Sequence, residues 1–316
     1  MNLEAALEER SRSRPDGARP SIVGTRCFVC GSDRVKPYAT DHDYHILSCE
    51  ACHLLWVADD VSEEEVARFY REGYYAGETT TFGYFGASYR DLEPLHRSNA
   101  RRILSFAADR SKVSLRGARV LDVGCGYGFL LDEARRSGAS SCVGVEISAH
   151  AAACAKDLLG LDVYPGDVSA VDLPAQHFDF AFMIGTIEHF IRPDLVLQTV
   201  SRVLKPGGYI VITTTDTRGP LPFYSLKPPE HLFYFDKVSM SRLLSKHAIE
   251  LDHYGVLFWK HDLIDVAVRL AAFVKLHGLA RWMRTFQKKI GRAPCLIPTN
   301  EMLVGARTTP SQGLTA

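Results

Sequence analysis

The sequence lacks the features that mark several specialised classes of protein. Its uncharged apolar runs all fall short of the roughly 20 residues that span a bilayer. Lysine plus arginine and aspartate plus glutamate each number 37, so a formal net charge of zero gives no overall attraction to nucleic acid or to an anionic membrane. Residues 1–21 lack the apolar core of a signal peptide. Eight cysteines in 316 residues are too few for a secreted disulfide scaffold, so we expect a reduced, cytoplasmic protein.

The chain divides into four zones of different composition. In chain order they are a polar tail at 1–24, a module with paired cysteines at 25–60, an aromatic linker with a helix at 61–116, and a strand–helix domain at 117–316. The linker helix is predicted over 88–110. A helical insertion is predicted at about 260–297. Strand–helix alternation from 117 onward predicts βαβ units around a parallel sheet, and therefore an α/β fold.

Five apolar segments of the last zone predict strands that are covered on both faces. They are 119–123, 142–147, 161–165, 178–185 and 208–215. Two later strands, near 250–259 and 301–307, flank the insertion. A helix near 194–208 should stop at Pro206 and the glycines after it.

Three glycines lie where the first of these strands turns into a helix. Gly124, Gly126 and Gly128 permit positive φ angles and let a ligand approach the backbone closely. The dinucleotide pattern G-x-G-x-x-G/A requires Gly or Ala where Phe129 stands. Asp122 would also place a negative charge beside a pyrophosphate. The turn therefore favours a cationic ligand over a diphosphate, although a glycine turn without any ligand stays open.

Two further acids extend this candidate ligand site. Glu146 closes the second strand, where a carboxylate can accept both hydroxyls of a ribose. Asp167 follows the third strand, where it can accept a hydrogen bond from the amino group of adenine. Ribose, adenine and a positively charged tail together describe S-adenosylmethionine (SAM).

Four motifs in 119–215 carry a resemblance to a known family. They are VLDVGCGYG at the glycine turn, VGVEIS at the acidic strand end, GTIEHF after the fourth strand, and LKPGGYIVI leading into the fifth. The segment resembles class I SAM-dependent methyltransferases, because the four motifs have the order and spacing of that family. The resemblance implies a Rossmann-like, seven-stranded methyltransferase sheet, SAM as the methyl donor, and Glu188 among the cofactor-binding residues.

The cysteine pairs have the spacing of a metal site. Cys27-x2-Cys30 and Cys49-x2-Cys52 are separated by a distance in sequence typical of zinc ribbons, in which four thiolates bind one tetrahedral ion. Such a closed site predicts a structural zinc rather than a catalytic one. Two disulfides or four free thiols are the alternatives.

The ribbon followed by an aromatic linker is similar to the start of bacterial sugar C-methyltransferases and of related small-molecule methyltransferases. Five linker tyrosines would either cover the cofactor and shape an acceptor pocket or pack the ribbon on the domain: Tyr70, Tyr74, Tyr75, Tyr84 and Tyr89.

Two Glu-His pairs are candidates for acid–base chemistry, since histidine is the usual base near neutral pH. Glu188-His189 follow the fourth strand, and Glu230-His231 lie in a Pro-rich loop after the fifth. The second pair begins a Glu-His-Leu-x-Tyr-Phe stretch that resembles the active-site stretch of the sugar C-methyltransferases. We predict His231 as the base and His189 as the second candidate. The alternatives are that His189 holds its loop by a hydrogen bond and that His231 caps the next helix.

The predicted insertion is basic and amphipathic. No acid lies between Val266 and Asn300, where seven basic residues alternate with apolar ones. Such a surface could bind an anionic or lipid-linked acceptor or lie on a membrane, or its apolar side could simply pack on the domain.

These observations predict an enzyme that methylates a small molecule, such as a sugar, a sugar-nucleotide or a natural-product intermediate. Oxygen is the preferred acceptor atom and carbon the alternative. RNA methylation would require a basic ribbon, yet residues 25–60 hold Arg26, Arg34 and Lys36 against six acids. A non-catalytic scaffold that only binds SAM is the remaining alternative.

Overall fold

A computed structural model describes residues 26–62, 64–66, 91–219, 226–264, 266–267, 278–279, 282–283 and 293–309. The predicted tail, the five linker tyrosines and most of the predicted helical insertion lie outside these residues. None of the described helices is both long and apolar enough to cross a membrane.

A seven-stranded mixed sheet forms the centre of the described part of the chain. Five neighbouring strands run parallel, in the spatial order β6 (Asp162–Pro165), β5 (Ser141–Glu146), β4 (Arg119–Val123), β7 (Phe178–Ile184) and β8 (Leu204–Thr215). The chain winds from β4 toward β6 and then returns to the other side of β4. Ligands of open α/β sheets bind at such a reversal, outside the carboxyl ends of the strands.

The parallel arrangement predicted from the sequence is wrong at one edge of the sheet. There β11 (Pro294–Thr308) lies antiparallel to β8, and β10 (Ile249–Asp262) lies antiparallel to β11. The two strands pair as one long hairpin, so no crossover helix is needed between them. Both extend into the range predicted as an insertion. The pairing of β11 with β8 sets Glu301 opposite Thr215, at the carboxyl end of β8.

Helices cover both faces of the sheet. They are α1 (Glu93–Ser111), α2 (Phe129–Arg136), α3 (Ala149–Leu159), α4 (Pro193–Val203) and α5 (Lys237–Ser245). The helix predicted to reach 208 ends at Val203, and Leu204 is already extended. Proline disfavours the helical conformation of the residue before it, so the helix ends ahead of Pro206. As a result β8 begins four residues earlier than predicted.

The central strand β7 is buried on both faces, as its apolar density predicted, whereas the edge strand β6 is exposed apart from Val163. Along β7, Phe180 and Phe182 pack into one cluster of buried side chains, whereas Ala181 and Met183 pack into the other. Alternate residues of a strand point to opposite faces, so both faces of this strand are covered. Each buried phenylalanine contributes about 1.5–3 kcal/mol by its removal from water.

The cysteine-containing module folds as a small antiparallel sheet. Its first three strands are β1 (Val35–Asp41), β2 (Tyr44–Cys49) and β3 (Leu55–Val57). A fourth strand, β9 (Phe233–Tyr234), follows β8 in the chain and pairs with β3. The sequence did not predict this strand, since two residues are too few to show a strand pattern.

Candidate active site

The glycine turn after β4 has the backbone that the sequence predicted. Gly124, Gly126 and Gly128 have φ angles of 76°, 54° and 77°, which favour glycine. A Cβ atom built at Gly124 would lie 2.3 Å from the Cγ2 atom of Thr186, at the end of β7. The turn is therefore pressed against the loop after β7, and a side chain at Gly124 would push the two apart.

Two buried carboxylates lie at this turn. Glu146 accepts a hydrogen bond from the Gly126 N–H (2.8 Å) through Oε2 and another from the Ser148 N–H (2.9 Å) through Oε1. Both carboxylate oxygens of Glu146 are thereby fixed at the turn, each by a backbone N–H. Burial, together with the charge of Glu146, raises the pKa of Asp122 to about 8. A cationic group would stabilise the ionised form of both acids.

Asp167 lies at the same edge of the sheet. Its Oδ1 atom accepts hydrogen bonds from the N–H (2.7 Å) and the hydroxyl (2.5 Å) of Ser169. The N–H of Gly166 donates to the Glu146 carbonyl (2.8 Å), which fixes the end of β6 beside the end of β5. The glycine turn, Glu146 and Asp167 thus lie at neighbouring strand ends, an arrangement that we call the cradle, and Asp122 lies in β4 directly before the turn.

The two Glu-His pairs meet after β7. Glu188 and His189 lie on a 3-10 turn, Ile187–His189. His189 Nδ1 donates to the carbonyl oxygen of Glu230 at 2.6 Å, and the rings of His189 and His231 pack edge to face with centroids 4.7 Å apart. Tertiary structure therefore joins the two candidate pairs into one site. The alternative role of His231 as a helix cap is wrong, because Asp236 caps α5.

Burial controls the electrostatics of this site. It raises the pKa of Glu188 to about 7 and raises that of Glu230 as well. It also lowers the pKa of His189 and brings that of His231 well below its usual value, with a further contribution from the charge of His189. Among the described residues, Nδ1 of His231 and one oxygen of each glutamate have no hydrogen-bond partner. The site thus holds a neutral imidazole beside carboxyl groups.

Three side chains of this site are close enough to share a proton or a cation. One donor atom from each of Glu188, His189 and His231 lies within 4.8 Å of the other two.

Two charged residues that the sequence patterns did not single out, Glu301 and Lys227, also act on this site. Burial and the charge of Glu188 raise the pKa of Glu301 to about 7. The positive charge of Lys227 acts on the pKa of Glu188, Glu230 and Glu301 in the lowering direction. The sequence signal for Glu301 was an acid at the start of a predicted strand that is otherwise apolar. Its position beside the end of β8 follows only from the antiparallel register of β11 with β8.

The four predicted zinc ligands lie together. Their sulfur atoms are all within 4.8 Å of one another, and the Cys27–Cys52 and Cys30–Cys49 pairs are each 3.5 Å apart. These distances exceed the roughly 2.05 Å of a disulfide bond, so the disulfide alternative does not hold for these pairs. In a tetrahedron with Zn–S bonds of about 2.3 Å the sulfurs are roughly 3.8 Å apart. The donor set fits a structural zinc ion.

A family model described as a methyltransferase domain matches residues 92–254. The chain belongs to this methyltransferase domain family. The matched range contains the glycine turn, Glu146, Asp167 and both Glu-His pairs, whereas the cysteine module precedes it. The predicted resemblance and the predicted α/β methyltransferase fold are thereby confirmed.

Two curated relatives are ubiquinone biosynthesis O-methyltransferases. The chain is 32% identical to that of Bradyrhizobium diazoefficiens over 158 residues, which cover 44% of this chain and 61% of the relative. It is also 32% identical to that of Cronobacter sakazakii over 164 residues, which cover 50% of this chain and 63% of the relative. The chain thus spans less than two thirds of the length of either relative.

A crystal structure of Burkholderia thailandensis 1,6-didemethyltoxoflavin-N1-methyltransferase, with bound 1,6-didemethyltoxoflavin and S-adenosylhomocysteine, has the same fold. It superimposes with a TM-score of 0.52 and 16% sequence identity, covering 87% of this chain and 100% of that one. A likeness at this identity establishes the fold of the methyltransferase domain and leaves the roles of single residues as predictions.

Proposed function

We propose that the protein transfers a methyl group from SAM to a hydroxyl oxygen of a small molecule. Membership of the methyltransferase domain family and the named O-methyltransferase relatives support this reaction class. The observation that carries the proposal is the joining of the two Glu-His pairs into one buried group, His189 Nδ1 to the Glu230 carbonyl, at the carboxyl edge of the sheet. Such a group can remove a proton from an acceptor.

The cofactor would be held by residues at the carboxyl ends of β4, β5 and β6. Glu146 and Asp167 would accept hydrogen bonds from the ribose and the adenine, and the turn at Gly124, Gly126 and Gly128 lets the ligand approach the backbone. Asp122 would offset the positive charge. When bound, SAM supplies an electrophilic methyl group on a sulfonium centre. Glu188, whose loop touches the turn through Thr186, would lie between cofactor and acceptor.

His231 is the proposed base. Its lowered pKa keeps the imidazole neutral near pH 7, so the ring can accept a proton. A neutral hydroxyl is a poor nucleophile, and His231 would take its proton as the new carbon–oxygen bond forms. The carboxylates of Glu188 and Glu230 would stabilise the resulting imidazolium. The remaining rate acceleration would come from holding the hydroxyl oxygen in line with the methyl group and its bond to sulfur.

The acceptor class follows from the same groups. The free acceptor atoms of Glu188, Glu230 and His231 suit a ligand that donates hydrogen bonds, such as a compound with neighbouring hydroxyl groups. Sugars, sugar-nucleotides and hydroxylated natural-product intermediates meet this description. An anionic or lipid-linked acceptor would additionally use the basic insertion, which lies mainly outside the described residues.

Carbon methylation is the second candidate. The base that removes a hydroxyl proton would also remove a proton from an acidic carbon. The position of Glu230-His231 at the site favours this reaction, because these residues begin the stretch that resembles the sugar C-methyltransferases.

Calorimetric titration with SAM, S-adenosylhomocysteine (SAH) and NADH tests the first half of the proposal. We expect micromolar binding of SAM and SAH and no binding of NADH. An acceptor screen then follows with SAM that carries a 13C-labelled methyl group, because the chemical shift of the product distinguishes O-methyl from C-methyl. NADH binding without SAM binding would contradict the proposed function.

A further inference from the structure

The strand that follows His231 belongs to the sheet of the cysteine module. In β9, Phe233 pairs with Trp56 and Tyr234 pairs with Leu55, both in β3. One residue before β9, the carbonyl of Leu232 accepts a hydrogen bond from the Val57 N–H at 2.9 Å. The backbone directly after the candidate base is therefore fixed by ladder hydrogen bonds to the module.

Both cysteine pairs also touch this segment. The ring of Phe28, next to Cys27, packs edge to face on Phe233 with centroids 5.1 Å apart. After the second pair, His53 Nδ1 lies 2.9 Å from the carboxylate of Asp236. The two turns that carry the four thiolates thus contact residues on both sides of Tyr234.

The opposite side of the segment is attached to the methyltransferase domain. The N–H of Leu232 donates to the carbonyl of Glu188 at 2.8 Å, and the N–H of His231 donates to the carbonyl of Lys227 at 2.9 Å. Leu232 therefore bridges the two sheets, donating to the loop after β7 and accepting from the module. Glu230 and His231 directly precede this residue, and the carbonyl of Glu230 also accepts a hydrogen bond from His189 Nδ1.

We propose that the module at 25–60, closed by zinc, positions Glu230 and His231, and that His53 is a positioning residue in this contact. The effect of this positioning on catalysis rests on the proposed function of His231. The ordering of residues 231–234 by the module does not rest on it. Residues 226–232, which precede β9, lie outside the strands, so contacts with neighbouring elements contribute to their ordering. Acid–base groups have to be held within about 0.5 Å of the productive geometry, and the module supplies one of the two supports.

Hydrogen exchange with and without zinc tests the mechanical role on the full chain. Zinc is removed with a chelator, and deuterium uptake is followed in peptides that cover 226–236 and, as a control, β4. We expect the amides of 231–234 to exchange at least tenfold faster without zinc, with uptake in β4 unchanged. Unchanged protection at 231–234 would overturn the proposal. So would an equal loss of protection in β4, because it would show general unfolding.

Binding of SAH in the same samples separates this proposal from the proposed function. Gly126 and Asp167 form their hydrogen bonds with Glu146 and Ser169 of the methyltransferase domain, so we expect the affinity for SAH to change less than threefold without zinc. A protein that never binds SAH would contradict the proposed function and leave the exchange result valid.

His53 offers a variant outside the metal ligands and the candidate base. Its φ of 66° is one that asparagine tolerates better than most residues, and an asparagine side chain retains an N–H donor. We expect His53→Ala to keep one zinc per chain, to raise exchange at 231–234 several-fold and to lower kcat about tenfold with little change in KM for SAM. His53→Asn should restore most of both. Wild-type exchange in His53→Ala with zinc retained would exclude His53 as a positioning residue.

Discussion

His189 Nδ1 lies 2.6 Å from the carbonyl oxygen of Glu230, a residue 41 positions further along the chain. This contact merges two separate Glu-His pairs into one buried site. It also explains why neither pair can be understood alone, since His189 orients the backbone of the loop that presents His231. The loop is fixed on its other side by the cysteine module through β9.

Replacement of His231 by alanine should lower kcat by about 100-fold or more, because a positioned base contributes that much. The affinity for SAH should stay within threefold of wild type, since His231 is not part of the cradle. Steady-state kinetics and SAH titration check both points. His247→Ala is a matched control, because this half-buried histidine also has a lowered pKa but lies at the end of α5. A kcat for His231→Ala within threefold of wild type would remove His231 from the role of base.

Activity should depend on the ionisation of Glu188. Burial raises its pKa to about 7, so the carboxyl group is protonated below that pH and ionised above it. The ionised form stabilises a protonated His231, and kcat/KM, which reports the pKa values of the free enzyme, should therefore rise about tenfold per pH unit up to 7 and then level. In Glu188→Gln the rise should disappear and kcat/KM should be low throughout. A wild-type profile that is flat from pH 5.5 to 8 would argue against this coupling.

Binding of SAM should release protons through Asp122. Its pKa of about 8 means that the group is largely protonated at pH 7 in the free protein, and a nearby positive charge favours the ionised form. Calorimetry at pH 7 in buffers of different ionisation enthalpy should detect the release of up to one proton per SAM bound. Asp122→Asn should abolish the release and weaken SAM more than SAH. Release of the same size in Asp122→Asn would assign the proton to another group.

A methyl group at Gly124 should disrupt the cofactor turn. Gly124→Ala sets Cβ against Thr186 Cγ2 and also incurs a left-handed backbone cost of about 1–2 kcal/mol. We expect loss of SAH binding by at least 100-fold. Gly160→Ala isolates the backbone cost, because Gly160 has a φ of 62° with nothing within 4 Å of a Cβ, and it should destabilise the protein without affecting SAH. Adding Thr186→Ser, which lacks the colliding Cγ2 atom, should restore part of the binding to Gly124→Ala.

The sequence identified the elements whose signal is local. Apolar runs located β4 to β7 to within one residue at each end, and Gly124, Gly126 and Gly128 predicted a turn whose φ angles are positive. The helix α4 ends five residues before 208, because Pro206 disfavours the helical conformation of the residue before it, so the chain is already extended at Leu204.

By itself the sequence determined the methyltransferase fold, the glycine turn and the grouping of four cysteines, since each depends on residues close in the chain or on strand ends that a parallel sheet brings to one edge. Only the tertiary structure decided that the two Glu-His pairs form one site, that Glu301 joins them from an antiparallel strand, and that β9 attaches the cysteine module beside His231. These contacts join residues 41 to about 180 positions apart. They depend on strand register and packing, which no short pattern in the chain encodes.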